Sequence, residues 1–222
     1  MTPSIGKDKA EIAELNAKRL FHEENARVAR ILGDQEQLVL DGRLRAERKA
    51  LAQDDQHFVY QFDDDVTPET VSRCTKKLME WHRTDPKCNI EIQINSYGGD
   101  MFSGFRLIDT VQFLRRSGHD ITTSVYGVAA SMGAVILQAG TRRVAGKNAF
   151  ILLHQGSASI GGSVGDIEDD QELLKKLQTR LLTILTERSK MEPAKLKTTW
   201  NRKNVWLGSD EALAHGFVDE VL

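Results

Sequence analysis

The spacing of hydrophobic residues divides the chain into two parts near residue 56. In the first part, apolar side chains recur at roughly helical intervals among Ala, Glu, Arg, Lys and Gln: Ile12, Leu15, Leu20, Val28, Ile31 and Leu32. Gly33 and Asp34 interrupt that spacing. For residues 1–56 we therefore expect one or two amphipathic helices, loosely attached or packed on a partner. The pattern is equally compatible with a flexible, partly disordered leader.

From residue 57 onward, short strand-like runs alternate with helical stretches. Thr67 and Pro68 supply an N-cap and a first helical residue for one of the predicted helices. Such alternation is typical of an α/β fold. We predict one α/β domain at 57–222, with 1–56 as an N-terminal helical extension. The predicted strands are 57–62, 90–95, 121–127, 142–146 and 149–153, and the predicted helices are 68–81, 103–116, 131–138 and 166–188.

Composition narrows the functional classes. The 222 residues include 30 Lys and Arg against 32 Asp and Glu, a net charge of −2, whereas nucleic-acid-binding domains normally carry a basic excess. No apolar run approaches the ~18 residues of a membrane-spanning helix, and the first residues lack the apolar core of a secretory signal. Cys74 and Cys88 fit no disulfide or zinc pattern and are expected as free thiols. We expect a cytoplasmic protein that binds neither nucleic acid nor membrane and needs no metal or organic cofactor.

Candidate chemistry begins at residues 126–134, Tyr-Gly-Val-Ala-Ala-Ser-Met-Gly-Ala. A predicted strand ends there in small residues, and Ser131 opens a short helix, which is the arrangement of a nucleophile on a sharp strand-to-helix turn. The positive end of that helix favours negative charge that develops near the serine hydroxyl. A serine at a helix start is also an ordinary N-cap, so this segment alone leaves both roles open.

Two further predicted strands end in residues that suit the same chemistry. Gly98 and Gly99 follow one of them, and glycine lets backbone N–H groups face a cleft with no side chain in the way. Together with the N–H of Met132, they are candidate donors for an oxyanion hole. His154 ends another strand, at the same sheet edge as Ser131. Taken singly, these residues are better explained as an ordinary turn and a hydrogen-bonded structural histidine.

The ordered set of motifs resembles the Clp protease proteolytic subunit (ClpP) family, serine peptidases with a crotonase-like fold. The resemblance implies Ser131 as nucleophile, His154 as general base, and an oxyanion hole formed by the Gly98–Gly99 region and Met132. It covers about residues 57–222 through five stretches: INSYGGD, GVAASMGA, LLHQ with the glycine-rich segment after it, the long helix ending near residue 188, and WLGSDEALAHGFVDEV.

The third catalytic position departs from that family, which places an Asp two residues before an aromatic residue. Counting back without a gap from the downstream match puts Asn204 at this position, and a slip of one residue would put Lys203 there. We prefer Asn204, because an amide oxygen accepts the Nδ1–H of a histidine, whereas an ammonium group next to the base would suppress its protonation.

The resemblance implies a serine endopeptidase that cleaves extended or unfolded polypeptide inside a ring-type homo-oligomer. In that family a Gly/Ser-rich strand and the following long helix interleave two rings, and an ATP-driven unfoldase is a possible partner. Residues 1–56 exceed the family's short leader, which leaves room for a divergent or phage-type member such as a head-maturation (capsid) protease. A catalytically weak or inactive ring subunit is also compatible with the sequence, as is a crotonase-type acyl-CoA enzyme, which would need no Ser–His pair.

Overall fold

The computed structural model describes residues 5–53, 57–158, 161–201 and 203–222. The internal contacts of the chain divide it into two compact units, Met1–Asp55 and Gln56–Leu222. The second unit contains one sheet with helices between its strands, which confirms the predicted α/β fold. The roles assigned to 1–56 and 57–222 as extension and peptidase domain stay predictions.

The first unit contains a single helix, α1 (Ile5–Gln53). Of the one or two helices predicted there, one is observed, and it continues through Gly33 and Asp34. Glycine in a helix interior costs about 1 kcal/mol relative to alanine, and that cost is small beside the surrounding composition. Ala, Leu, Glu, Lys and Arg, all strong helix formers, make up 31 of the 49 residues. The side chains of residues 14–44 are all exposed.

The sheet of the second unit is mainly parallel. Its strands run in the order β1-β2-β3-β4-β7, while β5 pairs with the end of β3 and continues to an antiparallel partner, β6. Strand β3 is longer than predicted, since it reaches Ala130 and leads directly into Ser131. The strands are β1 (His57–Phe62), β2 (Asn89–Ser96), β3 (Ile121–Ala130), β4 (Arg142–Ala145), β5 (Phe150–Leu153), β6 (Val205–Gly208) and β7 (Glu220–Val221).

Six helices accompany the sheet among the described residues of this unit: α2 (Pro68–Thr84), α3 (Met101–Arg116), α4 (Met132–Leu137), α5 (Val164–Glu187), α6 (Pro193–Thr199) and α7 (Ser209–His215). The predicted cap of α2 is confirmed, because the Thr67 side chain accepts a hydrogen bond from the Thr70 N–H. Helix α3 begins earlier than predicted, since Asp100 caps it by accepting the Ser103 N–H at 2.8 Å. None of the described helices is long and apolar enough to cross a membrane.

The hydrophobic core lies between the sheet and helices α2, α3 and α4. Its fully buried members include Leu78, Ile92, Leu107, Val125 and Leu137. The two cysteines, Cys74 and Cys88, are free and buried, as the sequence predicted. Burial raises the pKa of the Cys74 thiol, so this group stays protonated and unreactive at neutral pH.

Helix α5 is buried along only part of its leucine-rich face. Leu181 and Leu185, in its C-terminal half, pack in the core, whereas Ile167 and Leu173, in its N-terminal half, are more than 40% exposed. The Gly/Ser-rich strand expected before this helix is absent from the described residues 154–158 and 161–163. A strand needs a hydrogen-bonded neighbour, and this segment has none among the described strands of the single chain.

The C-terminal segment is attached to β4 through a buried arginine. The guanidinium of Arg143 donates two hydrogen bonds to the Asp219 carboxylate, at 2.5 and 3.0 Å, and others to Gln138 and to the backbone oxygen of Gly216. Burial alone would raise the pKa of Asp219, but the hydrogen bonds and charge of Arg143, together with Arg188, outweigh it and lower that pKa.

We predict that Asp219→Asn lowers the free energy of unfolding by on the order of 3 kcal/mol at neutral pH, because it leaves the Arg143 charge buried without its partner. The charged pair stabilises the fold above about pH 4, and this contribution is lost as the pH falls through the lowered pKa of Asp219. Denaturant unfolding at several pH values should therefore show the wild-type and variant stabilities converging in acid.

The matched control is Glu220→Gln, which removes the exposed pair between Glu220 and Arg142. An exposed pair contributes under about 1 kcal/mol, so this variant should unfold close to wild type. Equal losses in the two variants would contradict the assigned role of Asp219.

Candidate active site

Ser131 occupies the turn between β3 and α4 in an uncommon backbone conformation. Its φ is 55° and its ψ is −121°, values that a residue with a side chain adopts only under constraint. Its side chain makes no capping hydrogen bond to α4. The ordinary N-cap role that the sequence left open is therefore absent, and the hydroxyl is free to face the pocket beside it.

The turn of Ser131 is held by the backbone on both sides. The Ser131 N–H donates to the Leu152 carbonyl of β5 at 2.9 Å. On the other side the chain passes so close at Gly98 that an added Cβ would lie 2.6 Å from the Ser131 Cβ and 2.9 Å from the Met132 nitrogen. Gly98 also has φ +98°, so glycine is required there for both space and conformation.

The backbone N–H groups near Ser131 differ in whether they already donate a hydrogen bond within the protein. The Gly98 N–H donates to the Ser96 hydroxyl at 3.2 Å. Val66 accepts the Asp100 N–H and donates to the Gly98 oxygen, which fixes the loop but leaves the Gly99 N–H without a partner among the described residues. Met132 is the first residue of α4, where an N–H has no intrahelical acceptor. These contacts favour Gly99 and Met132, rather than Gly98, as donors to an oxyanion.

His154 is brought to Ser131 by the parallel pairing of β3 and β5. That pairing sets Ala130 opposite Leu152, so the residues that follow the two strands leave the sheet at the same edge. Both side chains line one pocket, and the His154 ring is half-buried. The two side chains make no hydrogen bond to each other or to any other described residue, so the pair is adjacent but not aligned for proton transfer.

Apart from Ser157, the other side chains that line this pocket are apolar, which the sequence analysis did not anticipate. Trp200 is contributed by the segment after α6, and α5 contributes two of the buried leucines. The hydrophobic spacing of the sequence predicted that such residues face a core, but it does not indicate against which part of the fold a helix packs. The apolar lining residues are Met101, Met132, Val135, Leu153, Leu181, Leu185 and Trp200.

Asn204 lies immediately before β6 and is exposed. The antiparallel register of β5 and β6 sets Leu153 opposite Val205, and one further step along both strands brings His154 level with Asn204. The same counting sets Lys203 level with Gln155. Asn204 is not among the residues that line the pocket, so the structure brings it to the edge of the site and not into contact with Ser131.

No group of three or more His, Cys, Asp or Glu side chains in the described part of the chain is arranged to hold a metal ion. The chemistry that the pocket offers is that of a hydroxyl, an imidazole and free backbone N–H groups around an apolar depression.

Comparison with known proteins decides the family. The model of the Clp protease family matches residues 48–222. The chain belongs to the Clp protease family. The match confirms the resemblance seen in the motifs, and a member of this family is a serine-type peptidase.

Three relatives with this family's name are similar over most of their own length. A Clp protease proteolytic subunit 2 of Tropheryma whipplei, named ATP-dependent, is 37% identical over 158 residues, which cover 70% of this chain and 86% of the relative. A subunit 1 of Leifsonia xyli is 35% identical, over 71% of this chain and 79% of the relative. A subunit 2 of Bacillus licheniformis is 33% identical, over 73% of this chain and 82% of the relative.

Proposed function

We propose that this Clp-family chain is an endopeptidase that cleaves extended polypeptide with Ser131 as nucleophile and His154 as general base. The observation that carries the proposal is the strained turn of Ser131, which directs its hydroxyl into the pocket that His154 lines. A strained serine, an imidazole and free backbone donors in one pocket are the parts that acyl transfer needs.

In the proposed reaction, Ser131 Oγ attacks the carbonyl carbon of the peptide bond while His154 takes the hydroxyl proton. The N–H groups of Gly99 and Met132 stabilise the oxyanion of the tetrahedral intermediate. His154 then gives the proton to the leaving amine, and the acyl chain stays on Ser131. A water molecule, deprotonated by His154, attacks this ester and releases the second product, which restores the serine.

Asn204 is proposed to orient His154 through its amide oxygen, which accepts the Nδ1–H. The register of β5 and β6 supports Asn204 over Lys203 for this role. An amide gives no charge to stabilise the imidazolium, and in one serine protease the corresponding Asp→Asn change lowered turnover ~10⁴-fold. The proposal therefore includes a low intrinsic rate.

The pocket also supports a preference in the substrate. Its apolar walls, with Met101, Val135 and Trp200 around Ser131, suit an aliphatic or aromatic side chain next to the cleaved bond. The unpaired segment 154–158 beside it offers backbone groups to an extended peptide, as an added strand would use them.

Assembly into a ring, with an ATP-driven unfoldase to deliver substrate, is proposed from the family resemblance and from α5. At about 100° per residue, the exposed Ile167 lies on the face of α5 that is buried further along at Leu181 and Leu185, and the exposed Leu173 lies beside that face. Water contact with this surface is unfavourable by roughly 25 cal/mol per Å², and association of subunits would remove it. The three relatives are called ATP-dependent, which supports an ATPase as the partner.

A second candidate function is that of a catalytically inactive ring subunit. Two observations favour it. Asn204 stands at the proposed third catalytic position, and the described side chains of Ser131 and His154 make no hydrogen bond to each other. Catalytic hydrogen bonds are often loose before substrate binds, so activity has to be measured directly.

We predict that a fluorophosphonate probe labels the wild-type protein at Ser131 and that Ser131→Ala abolishes the labelling. The probe reacts only with an activated serine, because it needs both a base and an oxyanion hole. Thermal unfolding of the variant checks that the fold is kept. An unlabelled wild type would favour the inactive subunit, and undiminished labelling of Ser131→Ala would exclude this serine.

We predict that Asn204→Asp raises kcat for a peptide with an apolar residue at the cleaved bond by about tenfold or more, since a carboxylate stabilises the imidazolium. The matched change at the neighbouring position, Lys203→Asp, should give no comparable gain. A gain at Lys203 alone would move the third catalytic role to that residue.

We predict that Ile167→Glu combined with Leu173→Glu lowers the particle mass in light scattering and lowers peptidase activity in parallel. Both side chains are exposed in the single chain, so the subunit itself should still fold. Thr179→Glu combined with Thr183→Glu is the control, because both threonines are exposed on the side of α5 that faces away from Leu181. An unchanged mass in the Ile167/Leu173 variant would refute assembly through this face of α5.

A further inference from the structure

Helix α1 carries an apolar stripe along one side of its surface. Its members recur at intervals of eleven residues, which is close to three helical turns, so they align along the helix axis. Between Ala17 and Gly42 the stripe is roughly 38 Å long. All of its members are exposed. The repeats are Ala17, Val28 and Val39; Leu20 and Ile31; and Phe21 and Leu32.

The charges of α1 argue against a membrane or a nucleic acid as the occupant of this stripe. Residues 14–44 contain five Lys and Arg and six Asp and Glu, so 5 − 6 gives a net charge of −1. Several of these charges pair within the helix, such as Lys18 with Glu14 and Arg19 with Glu23. An interfacial membrane helix carries a basic polar face instead. A mixed, nearly neutral helix with one apolar stripe fits association with another helix.

The residue types of the stripe are approximately symmetric about a point between Ala29 and Arg30. Five pairs of stripe positions whose numbers sum to 59 hold residues of similar type, and Leu32 is the exception because its counterpart is Arg27. The five pairs are Ala17 with Gly42, Leu20 with Val39, Phe21 with Leu38, Glu24 with Gln35, and Val28 with Ile31. A two-fold symmetric pair of helices requires such self-complementarity, because the same surface is used by both copies. We infer that two copies of this chain associate through antiparallel α1 helices. In this pair, the numbers of two residues that lie level with each other sum to 59.

The two polar positions within the stripe select the antiparallel orientation. A parallel pair in register would bring the Glu24 carboxylates of both copies together in an apolar interface, which is unfavourable. The antiparallel pair sets each Glu24 beside a Gln35 of the other copy. The Gln35 amide then donates a hydrogen bond to the Glu24 carboxylate, once on each side of the symmetry axis. This arrangement favours one orientation and one register over the others.

The inference does not rest on the proposed peptidase mechanism or on a ring. All of the stripe residues precede residue 48, where the family match begins. The contact joins two chains through their α1 helices whether or not the second units associate.

The test is site-specific cross-linking of the full-length chain with a short bismaleimide. Phe21→Cys/Leu38→Cys should form covalent dimers joined from position 21 of one copy to position 38 of the other. In the single variants, like positions lie about 26 Å apart in the antiparallel pair, so neither variant alone should form a covalent dimer. Wild-type chain reports any background from Cys74 and Cys88, which are buried. Peptide mass analysis identifies the joined positions.

Cross-linking of Phe21→Cys with itself would indicate a parallel pair and overturn the inference, as would the absence of any α1–α1 cross-link in the double variant. Hydrogen exchange of α1 in chains without the introduced cysteines gives an independent measurement. Ile31→Asp, within the stripe, should speed amide exchange in α1 at least about tenfold over Leu40→Asp, an equally drastic change on the opposite face. Equal exchange in the two variants would also overturn it.

Discussion

Strand β3 determines where every part of the active site lies, because it changes neighbours along its length. Its first half pairs with β4, and its last three residues pair with β5. The register with β2 shifts over the same stretch, between Ile94 and Ser96. The Asn95 side chain accepts the Val128 N–H at this irregularity. Because β3 continues past its pairing with β4, its last residues reach β5, and Ser131 leaves the sheet beside the strand that precedes His154.

Helix α5 connects the proposed assembly surface to the substrate pocket. Its C-terminal leucines form one wall of the pocket, while its N-terminal apolar residues extend into solvent. The Gln178 side chain, between these halves, donates to the backbone oxygen of Gly156, two residues after His154. Any contact that restrains the free half of α5 also restrains the segment that follows His154, the proposed general base. A misaligned Ser131 and His154 in the single chain fits this coupling.

The sequence predicted the parts of the fold that depend on local patterns and failed where tertiary contacts decide. Alternating strands and helices, the Thr67 cap and the turn at Ser131 followed from spacing and from residue type. The continuity of α1 through Gly33 was left open, because the hydrophobic spacing is interrupted there although the surrounding residues are strong helix formers. The pocket walls also escaped prediction. Leu181 and Trp200 lie far from Ser131 in sequence, and no local pattern records that α5 and α6 meet there.

The backbone conformation of Ser131 has a consequence for the stability of the protein. A residue with a Cβ held at φ 55° carries about 1–3 kcal/mol of strain, which the surrounding hydrogen bonds and packing must offset. Glycine would relieve that strain at this position, and alanine would not. The most stable version of this turn is therefore one without the hydroxyl that is proposed as the nucleophile, so serine at this position opposes stability. The same crowding by Gly98 disfavours threonine, whose additional methyl group would meet the neighbouring backbone.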